Sequence, residues 1–340
     1  MVGFVSVLAA VLGFATVFML GFVVIPFLRK LKFGQTIRED GPKWHESKSG
    51  TPTMGGIMLF AGLFVAVLLG LAYSAISGDR LKMELSASFK TTHWLAGFAL
   101  AIAMGAIGFV DDYIKVVKKR NLGLTARQKT FAQLIVSALY LIVLLFGGMT
   151  TTYIPFIGDV NIMSGPGIIF WPIALFFVYG FTNAVNLTDG VDGLASSITL
   201  VVCCAFMVLA GVGSFMGANL LAAAGAGACI GFVMWNAHPA KVFMGDTGSM
   251  LLGGLVVGLS FAIGKPILLI FAGIVYLCEA LSVVIQVAYF KKTKKRIFKM
   301  TPINHHFEMS GWSEEKIVFV FSVVTLIGSL LAIMPVVFGW

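Results

Sequence analysis

The sequence predicts an all-α polytopic membrane protein with about ten transmembrane helices, both termini outside and an active site on the cytoplasmic face. Three observations carry that expectation. Of 340 residues, 59% are apolar and only 11% charged, against about 25% charged in a soluble domain. Several stretches run for about 18 residues or more without a charge, long enough to cross the hydrocarbon core of a bilayer. Finally, 20 of the 24 Lys and Arg fall in or beside alternate connections between those stretches, which is the asymmetry of cytoplasmic loops.

The spans are expected at 3–28, 52–76, 94–111, 128–148, 168–186, 193–212, 214–235, 247–263, 266–290 and 316–338. The first has no Lys or Arg before Arg29, Lys30 and Lys32, so it lacks the basic start of a cleavable signal and enters from outside. The connections after the sixth and eighth spans are short. Merging either pair would need one helix of about 40 residues, too long for a core about 30 Å thick. Segments 29–51, 112–127, 187–192, 236–246 and 291–315 then face the cytoplasm, and the outer segments hold only Arg80, Lys82, Lys90 and Lys265. The net charge of +9 reports this orientation, and no nucleic-acid partner is expected. In the outer segment 149–167, Thr150-Thr151-Thr152-Tyr153 and Gly158-Asp159 predict a small hairpin. Cys203, Cys204, Cys229 and Cys278 all lie in apolar stretches and read as core filler. Residues 1–340 form a single integral-membrane domain.

The placement of the acids is more informative. Asp111 and Asp112 end the third expected span, Asp189 and Asp192 follow the fifth, and Asp246 precedes the eighth. All five sit at the cytoplasmic end of an apolar segment, where carboxylates are costly unless solvated or paired. A divalent cation would relieve their repulsion, and Mg²⁺ favours one or two carboxylates plus phosphate oxygens.

Three motifs hold these acids. In Asp111-Asp112-Tyr113-Ile114-Lys115, a continuing helix puts Asp111 and Lys115 on one face, but one Lys cannot neutralise both aspartates. In Asn186-Leu187-Thr188-Asp189-Gly190-Val191-Asp192-Gly193, the glycines allow backbone amides to approach an anion. Asp192 can also cap the sixth helix. In Gly245-Asp246-Thr247-Gly248-Ser249, the residues either cap the eighth helix or offer its N-terminus to phosphate. Phe243, just before, is a membrane anchor or a platform for a planar base.

Basic loops border these motifs. They contain Lys43, His45, Lys48 and Thr53; Lys115, Lys118, Lys119, Arg120, Arg127 and Lys129; and Lys291 through Lys299 followed by His305 and His306. Positive-inside orientation and anionic-lipid attraction account for Lys291–Arg296, but not for the aspartate rim. Acids and cations at one membrane face suit a metal-bound, phosphate-rich ligand. An ion-coupled transporter is the rival from another class, but carriers place their binding groups near the bilayer midplane. Of the intramembrane acids only Glu279 lies that deep, and a structural role is expected for it.

The combination of Lys48-x-Gly50-Thr51-Pro52-Thr53-Met54-Gly55-Gly56 with the three aspartate motifs resembles the bacterial MraY translocase family. These are the phospho-N-acetylmuramoyl-pentapeptide transferases, within the polyprenyl-phosphate hexosamine-1-phosphate transferases. The resemblance covers essentially the whole chain. It implies transfer from UDP-N-acetylmuramoyl-pentapeptide (UDP-MurNAc-pentapeptide) to undecaprenyl phosphate, giving lipid I and UMP, with Mg²⁺ as cofactor. It also implies a broken ninth span, a homodimer among membrane lipids, and a bacterial inner-membrane location. By motif, Asp246 would be the metal ligand, Asp111 and Asp112 the catalytic pair, and His305 and His306 further catalytic groups. Asn186, Asp189 and Asp192 would hold the nucleotide-sugar, and Phe243 would stack on uracil. Lys48, Thr53 and Asn236 would add contacts, and Lys115 and Lys129 would bind phosphates. A sister transferase using another UDP-N-acetylhexosamine would share the aspartates.

One departure stands out. The family carries Pro-x-His-His-His-[Phe/Tyr]-Glu in its last cytoplasmic loop, where this chain reads Pro302-Ile303-Asn304-His305-His306-Phe307-Glu308. Asn304 still offers a substrate-binding hydrogen bond but carries no proton at neutral pH. The expectation is retained fold and binding, with turnover the property at risk.

Overall fold

The computed structural model describes residues 3–31, 48, 50–77, 81, 88–117 and 123–339. Among them, ten helices are long and apolar enough to cross a membrane, one for each expected span. In chain order the helices are α1 (Phe4–Lys30), α2 (Gly56–Ser77), α3 (Ser88–Val117), α4 (Ala126–Phe146), α5 (Phe170–Thr188) and α6 (Leu194–Val212). Then follow α7 (Met216–Asn236), α8 (Gly245–Ala262), the short α9 (Leu268–Ala272), α10 (Ile274–Thr293), the short α11 (Ile303–Glu308) and α12 (Glu314–Phe338).

Two boundaries differ from expectation. Hydropathy ends the third span at Asp111, yet α3 continues to Val117, because a helix leaving the apolar layer needs no apolar residues to persist. α8 begins at Gly245, so Asp246 lies in its first turn rather than before it. The ninth span is broken, as the family resemblance implies: it is two helices, α9 and α10, interrupted at Gly273 (φ −101°, ψ 26°).

α8 is the axis of the bundle. Every residue from Thr247 to Ala262 is buried, which is why this span tolerates so many glycines: it presents no face to lipid. Small residues let its neighbours approach backbone to backbone, as helices do in hydrocarbon. A Cβ placed on Gly97 of α3 would lie 2.8 Å from Gly258 O, and one on Gly108 would lie 2.1 Å from Asp246 O. On the other flank, a Cβ on Gly253 would meet Thr182 Cα of α5 at 2.8 Å. These contacts bring the ends of α3 and α5 to the first turn of α8. Peripheral helices expose apolar side chains instead, such as Phe22 of α1 and Phe319 of α12.

At the other end of α8 sits the expected hairpin, β1 (Thr151–Ile154) antiparallel to β2 (Gly158–Asn161). Tyr153 N donates to Gly264 O at 3.2 Å, and the Lys265 ammonium lies 3.5 Å from the Tyr153 ring centroid.

Candidate active site

Asp246 occupies the centre of the first cluster. Its Oδ2 lies 2.8 Å from Lys115 Nζ and 3.0 Å from Lys129 Nζ, and its Oδ1 accepts a hydrogen bond from Asn186 Nδ2 at 2.7 Å. Asn186 Nδ2 also donates to Ser249 Oγ at 2.7 Å, one turn along α8. The continued α3 sets Asp111 and Lys115 on one face, as its spacing predicted, with Oδ2 and Nζ 2.5 Å apart. Asp111 Oδ1 accepts the Leu124 N–H at 2.7 Å, tying the chain before α4 to α3. Lys129 is aimed by the capping box that starts α4, in which Thr125 and Gln128 satisfy each other's backbone N–H groups.

Asp112 does something the sequence did not reveal. Its Oδ1 accepts the Asp246 N–H at 3.1 Å, and its Oδ2 accepts the N–H and the hydroxyl of Thr247 at 2.8 and 2.7 Å. The leading amides of α8 are therefore occupied by a carboxylate from α3. Neither expected use of that terminus holds: α8 has no side-chain cap of its own, and the amides of Asp246 and Thr247 are not open to phosphate. Thr53 is brought alongside by a short backbone pairing, Phe243 N to Pro52 O at 2.9 Å and Gly55 N to Phe243 O at 2.8 Å. A Cβ on Gly245, which has φ +69°, would sit 3.0 Å from Thr53 Oγ1.

Asp111, Asp112 and Asp246 each offer an oxygen within 4.8 Å of the others. That all-oxygen, all-carboxylate donor set fits a hard divalent cation shared with phosphate oxygens. Asp246 and Asp111 are the better donors, since both oxygens of Asp112 hold α8.

Asp192 belongs to a second cluster. Its carboxylate pairs with Lys48 Nζ at 2.7 Å and with His238 Nδ1 at 3.1 Å, and accepts the Ala240 N–H at 3.0 Å. Glu314, in the first turn of α12, lies 2.7 Å from the same Lys48 Nζ and accepts the Asp192 N–H at 3.0 Å. The capping role expected for Asp192 is corrected: the residue before α6 is Gly193, in a left-handed conformation without a side-chain cap. Asp192 is drawn off by the stronger charged partners. Asn236 is buried, its Oδ1 accepting from Gly193 N at 3.1 Å and its Nδ2 donating to Val242 O at 2.9 Å. Both groups thus hold the 193 and 242 loops together. Phe243 is half-buried beside them.

Asp189 links the two clusters electrostatically. Burial, followed by the charges of Asp246, Asp112 and Asp192, pushes its carboxyl well above the usual carboxylate range. The next residue, Gly190, meets α11. A Cβ there would lie 2.6 Å from Asn304 Nδ2 and 2.9 Å from His305 Nε2. His305 Nδ1 pairs with Glu308 Oε2 at 2.5 Å. His306 takes a different part, its Nδ1 accepting the Lys299 N–H at 3.1 Å while its ring packs edge-on against Phe298.

The candidate residues thus divide into an acidic centre, an ion-pair strut and a histidine loop, all at one end of the bundle. Lys43, His45, Lys118, Lys119 and Arg120 lie outside the described residues. Sequence reasoning missed Glu314 and assigned nothing to His238. Ser313-Glu314-Glu315 signals only a helix start, and Ser313 does cap α12.

The chain matches the family profile "Glycosyl transferase family 4" over residues 94–264. It also matches "Phospho-N-acetylmuramoyl-pentapeptide-transferase signature 1" over residues 48–60, the segment that carries Lys48 and Thr53. Curated proteins named phospho-N-acetylmuramoyl-pentapeptide-transferase align along nearly its whole length. One from Listeria monocytogenes serotype 4b is 47% identical over 316 residues, 92% of this chain and 93% of the relative. Another from Heliobacterium modesticaldum is 44% identical over 328 residues, 96% of each. A third, from Shouchella clausii, is 43% identical over 332 residues, 97% of this chain and 96% of the relative. With the signature segment, the aspartate centre and ten apolar helices in one chain, this protein belongs to the phospho-N-acetylmuramoyl-pentapeptide-transferase family of multi-pass bacterial membrane enzymes.

Proposed function

We propose that the protein transfers phospho-N-acetylmuramoyl-pentapeptide from its UDP-linked precursor to undecaprenyl phosphate, releasing UMP and forming lipid I for peptidoglycan synthesis. The observation that carries this reading is the meeting of Asp111, Asp112 and Asp246 with the ammonium groups of Lys115 and Lys129. An oxygen of the lipid phosphate attacks the phosphorus that bears the sugar. The bond from that phosphorus to the oxygen of UMP breaks, and a new pyrophosphate joins sugar and lipid. Such a transfer depends mainly on positioning and on stabilising charge at phosphate oxygens.

Each residue has a part in that task. Asp246 and Asp111 would hold Mg²⁺, which when bound would neutralise part of the pyrophosphate charge. Lys115 and Lys129 exchange their contacts with Asp246 for phosphate oxygens. Asp111 aligns or deprotonates the lipid phosphate, while Asp112 keeps the first turn of α8, and with it Asp246, in place. Asn186, Asp189 and Asp192 border the nucleotide-sugar, with Phe243 as the platform for uracil and Lys48, Thr53 and Asn236 behind it. The site end faces the cytoplasm of the bacterial inner membrane, with both termini outside, as the basic loops support. A homodimer rests on the family resemblance alone.

The deciding experiment measures UMP release by purified protein given undecaprenyl phosphate and either UDP-MurNAc-pentapeptide or UDP-N-acetylglucosamine. Wild type is expected to release UMP from the first substrate, to stop when EDTA is added and to resume with excess Mg²⁺. Asp246→Asn is expected to lose at least about a hundredfold in rate, the scale of removing a charge-stabilising group. Release from UDP-N-acetylglucosamine alone would favour the sister transferase. No release from either would reject both.

A further inference from the structure

Glu279 of α10 is fully buried and belongs to neither ion-pair cluster. Its Oε2 accepts the backbone N–H of Asn304 at 3.3 Å, and the N–H of Ile303 also faces its carboxyl group. Those two residues open α11, and the leading amides of any helix lack partners within it. Pro302, the residue before α11, provides no side-chain cap. A six-residue helix is too short to hold itself together, so its geometry depends on what receives its first turn. A buried carboxyl oxygen is a ready acceptor there, because the amides it meets have no partner within the helix.

What α11 carries makes this matter. Asn304 and His305 are the side chains that close on Gly190, beside Asp189. The contacts therefore run from an intramembrane carboxylate, through two backbone amides, to the face of the loop that meets the nucleotide-sugar side of the site. We infer that Glu279 is a positioning residue, anchoring the N-terminus of α11 so that His305 is held against the Asp189–Gly190 turn. It touches no reacting atom. This also accounts for a costly buried acid that helix packing alone does not require. The effect on turnover rests on the catalytic part that the family resemblance implies for His305, whereas the anchoring itself does not.

Residue-resolved hydrogen exchange on the full-length protein in detergent separates the two. In the wild type, the amides of Ile303 and Asn304 are expected to exchange slowly, although the first amides of a helix ordinarily exchange fast. Glu279→Ala is expected to speed exchange at both by at least about tenfold, the scale of losing a buried hydrogen bond, with α8 unchanged. Glu279→Gln keeps a carbonyl acceptor and should retain most of the protection. In turnover, Glu279→Ala should lower kcat and leave KM for the nucleotide-sugar within about twofold. Its effect should also largely vanish in a His305→Ala background, as expected for residues acting as a unit. Fast exchange of Ile303 and Asn304 in the wild type overturns the inference even if Glu279→Ala does not fold. So does unchanged exchange in a folded Glu279→Ala. Altered exchange with turnover indifferent to both Glu279 and His305 would uphold the anchor and overturn the catalytic part that the resemblance implies for His305.

Discussion

Asp112 of α3 accepts two hydrogen bonds from Thr247 of α8, one from its backbone N–H and one from its hydroxyl, at 2.8 and 2.7 Å. With the third bond, from Asp246 N, the α3 carboxylate caps a helix that starts more than a hundred residues later. The two neighbouring aspartates of α3 thus divide their tasks. Asp111 faces the cations and Leu124, while Asp112 fixes the turn that carries Asp246. The division is possible because Gly108 lets the backbones of α3 and α8 touch.

Replacing Asp112 should therefore cost stability as well as activity. Asp112→Ala leaves three buried or half-buried donors without an acceptor, at about 1–3 kcal/mol each before relaxation. The expected loss is about 3 kcal/mol or more, with turnover abolished, and Asp112→Asn should fall between because it retains one acceptor oxygen. Asp246→Asn should lose turnover with a much smaller change in Tm. Thermal unfolding in detergent decides, and an unchanged Tm for Asp112→Ala would show that the cap is dispensable.

Asp189 should leave a pH signature of opposite sign to an ordinary paired carboxylate. Its folded-state pKa is raised, first by burial and then by three neighbouring acids. The native state consequently holds this proton more tightly than the unfolded chain. Stability contributed here falls as pH rises from about 4, the ordinary carboxylate value, through the raised folded value, and stays low above it. Asp189→Asn removes the ionisation, so its Tm in metal-free buffer should exceed that of wild type at pH 8 and converge with it near pH 4. A variant less stable than wild type at pH 8 would contradict the assignment. Turnover should fall regardless, because Asp189 borders the proposed nucleotide-sugar site.

Much of this architecture was legible in the residues because the bilayer imposes a coarse rule: each span must be apolar for about 20 residues. Lys115 was legible as the partner of Asp111 because helical spacing is local. Contacts between distant segments were not. Nothing in the sequence near Asp192 points to Glu314, 122 residues later, and a Ser-Glu-Glu helix start is common for local reasons. Asp192 looked like a cap because a cap is the nearest available role, and a lysine and a histidine from other segments outcompeted it. The end of α3 lies past the expected one for a related reason, since hydropathy marks where the membrane stops and not where the helix does.

Lys48 can be tested as a strut. Burial works against its charge, but hydrogen bonds to Asp192 and Glu314 outweigh it and hold its pKa above the ordinary lysine value. A raised lysine pKa stabilises fully below the ordinary value of about 10.4 and is lost only as pH climbs through the folded value. The strut is thus at full strength at neutral pH. The side chains of Lys48, Asp192 and Glu314 are only 16%, 2% and 10% exposed, so breaking the arrangement by Lys48→Met should cost about 3–5 kcal/mol. Adding Glu314→Gln should recover part of that by removing one stranded charge. A Lys48→Met protein with wild-type Tm and a raised KM would instead make Lys48 a substrate contact.

Asn304 offers the sharpest comparison with the family pattern, in which a histidine stands at this position. Asn304 is fully buried, its Oδ1 accepts the His305 N–H at 2.7 Å, and its Nδ2 has no hydrogen-bond partner. An imidazole in its place brings a group that can carry a proton, into a space bounded by Glu279 below and Gly190 beside. If proton transfer or a positive charge at this position contributes to the reaction, Asn304→His should raise kcat by about 10²-fold or more, the range of a positioned acid or base. It should also introduce a dependence on pH between about 6 and 8. If the position serves only to hold α11, the rates should agree within about twofold and Tm should fall, because the larger ring must be fitted into a closed pocket. Measuring kcat across pH for both proteins, alongside Tm, separates the two. Equal rates with a lower Tm would mean that Asn304 meets the chemical need of this site as fully as histidine does.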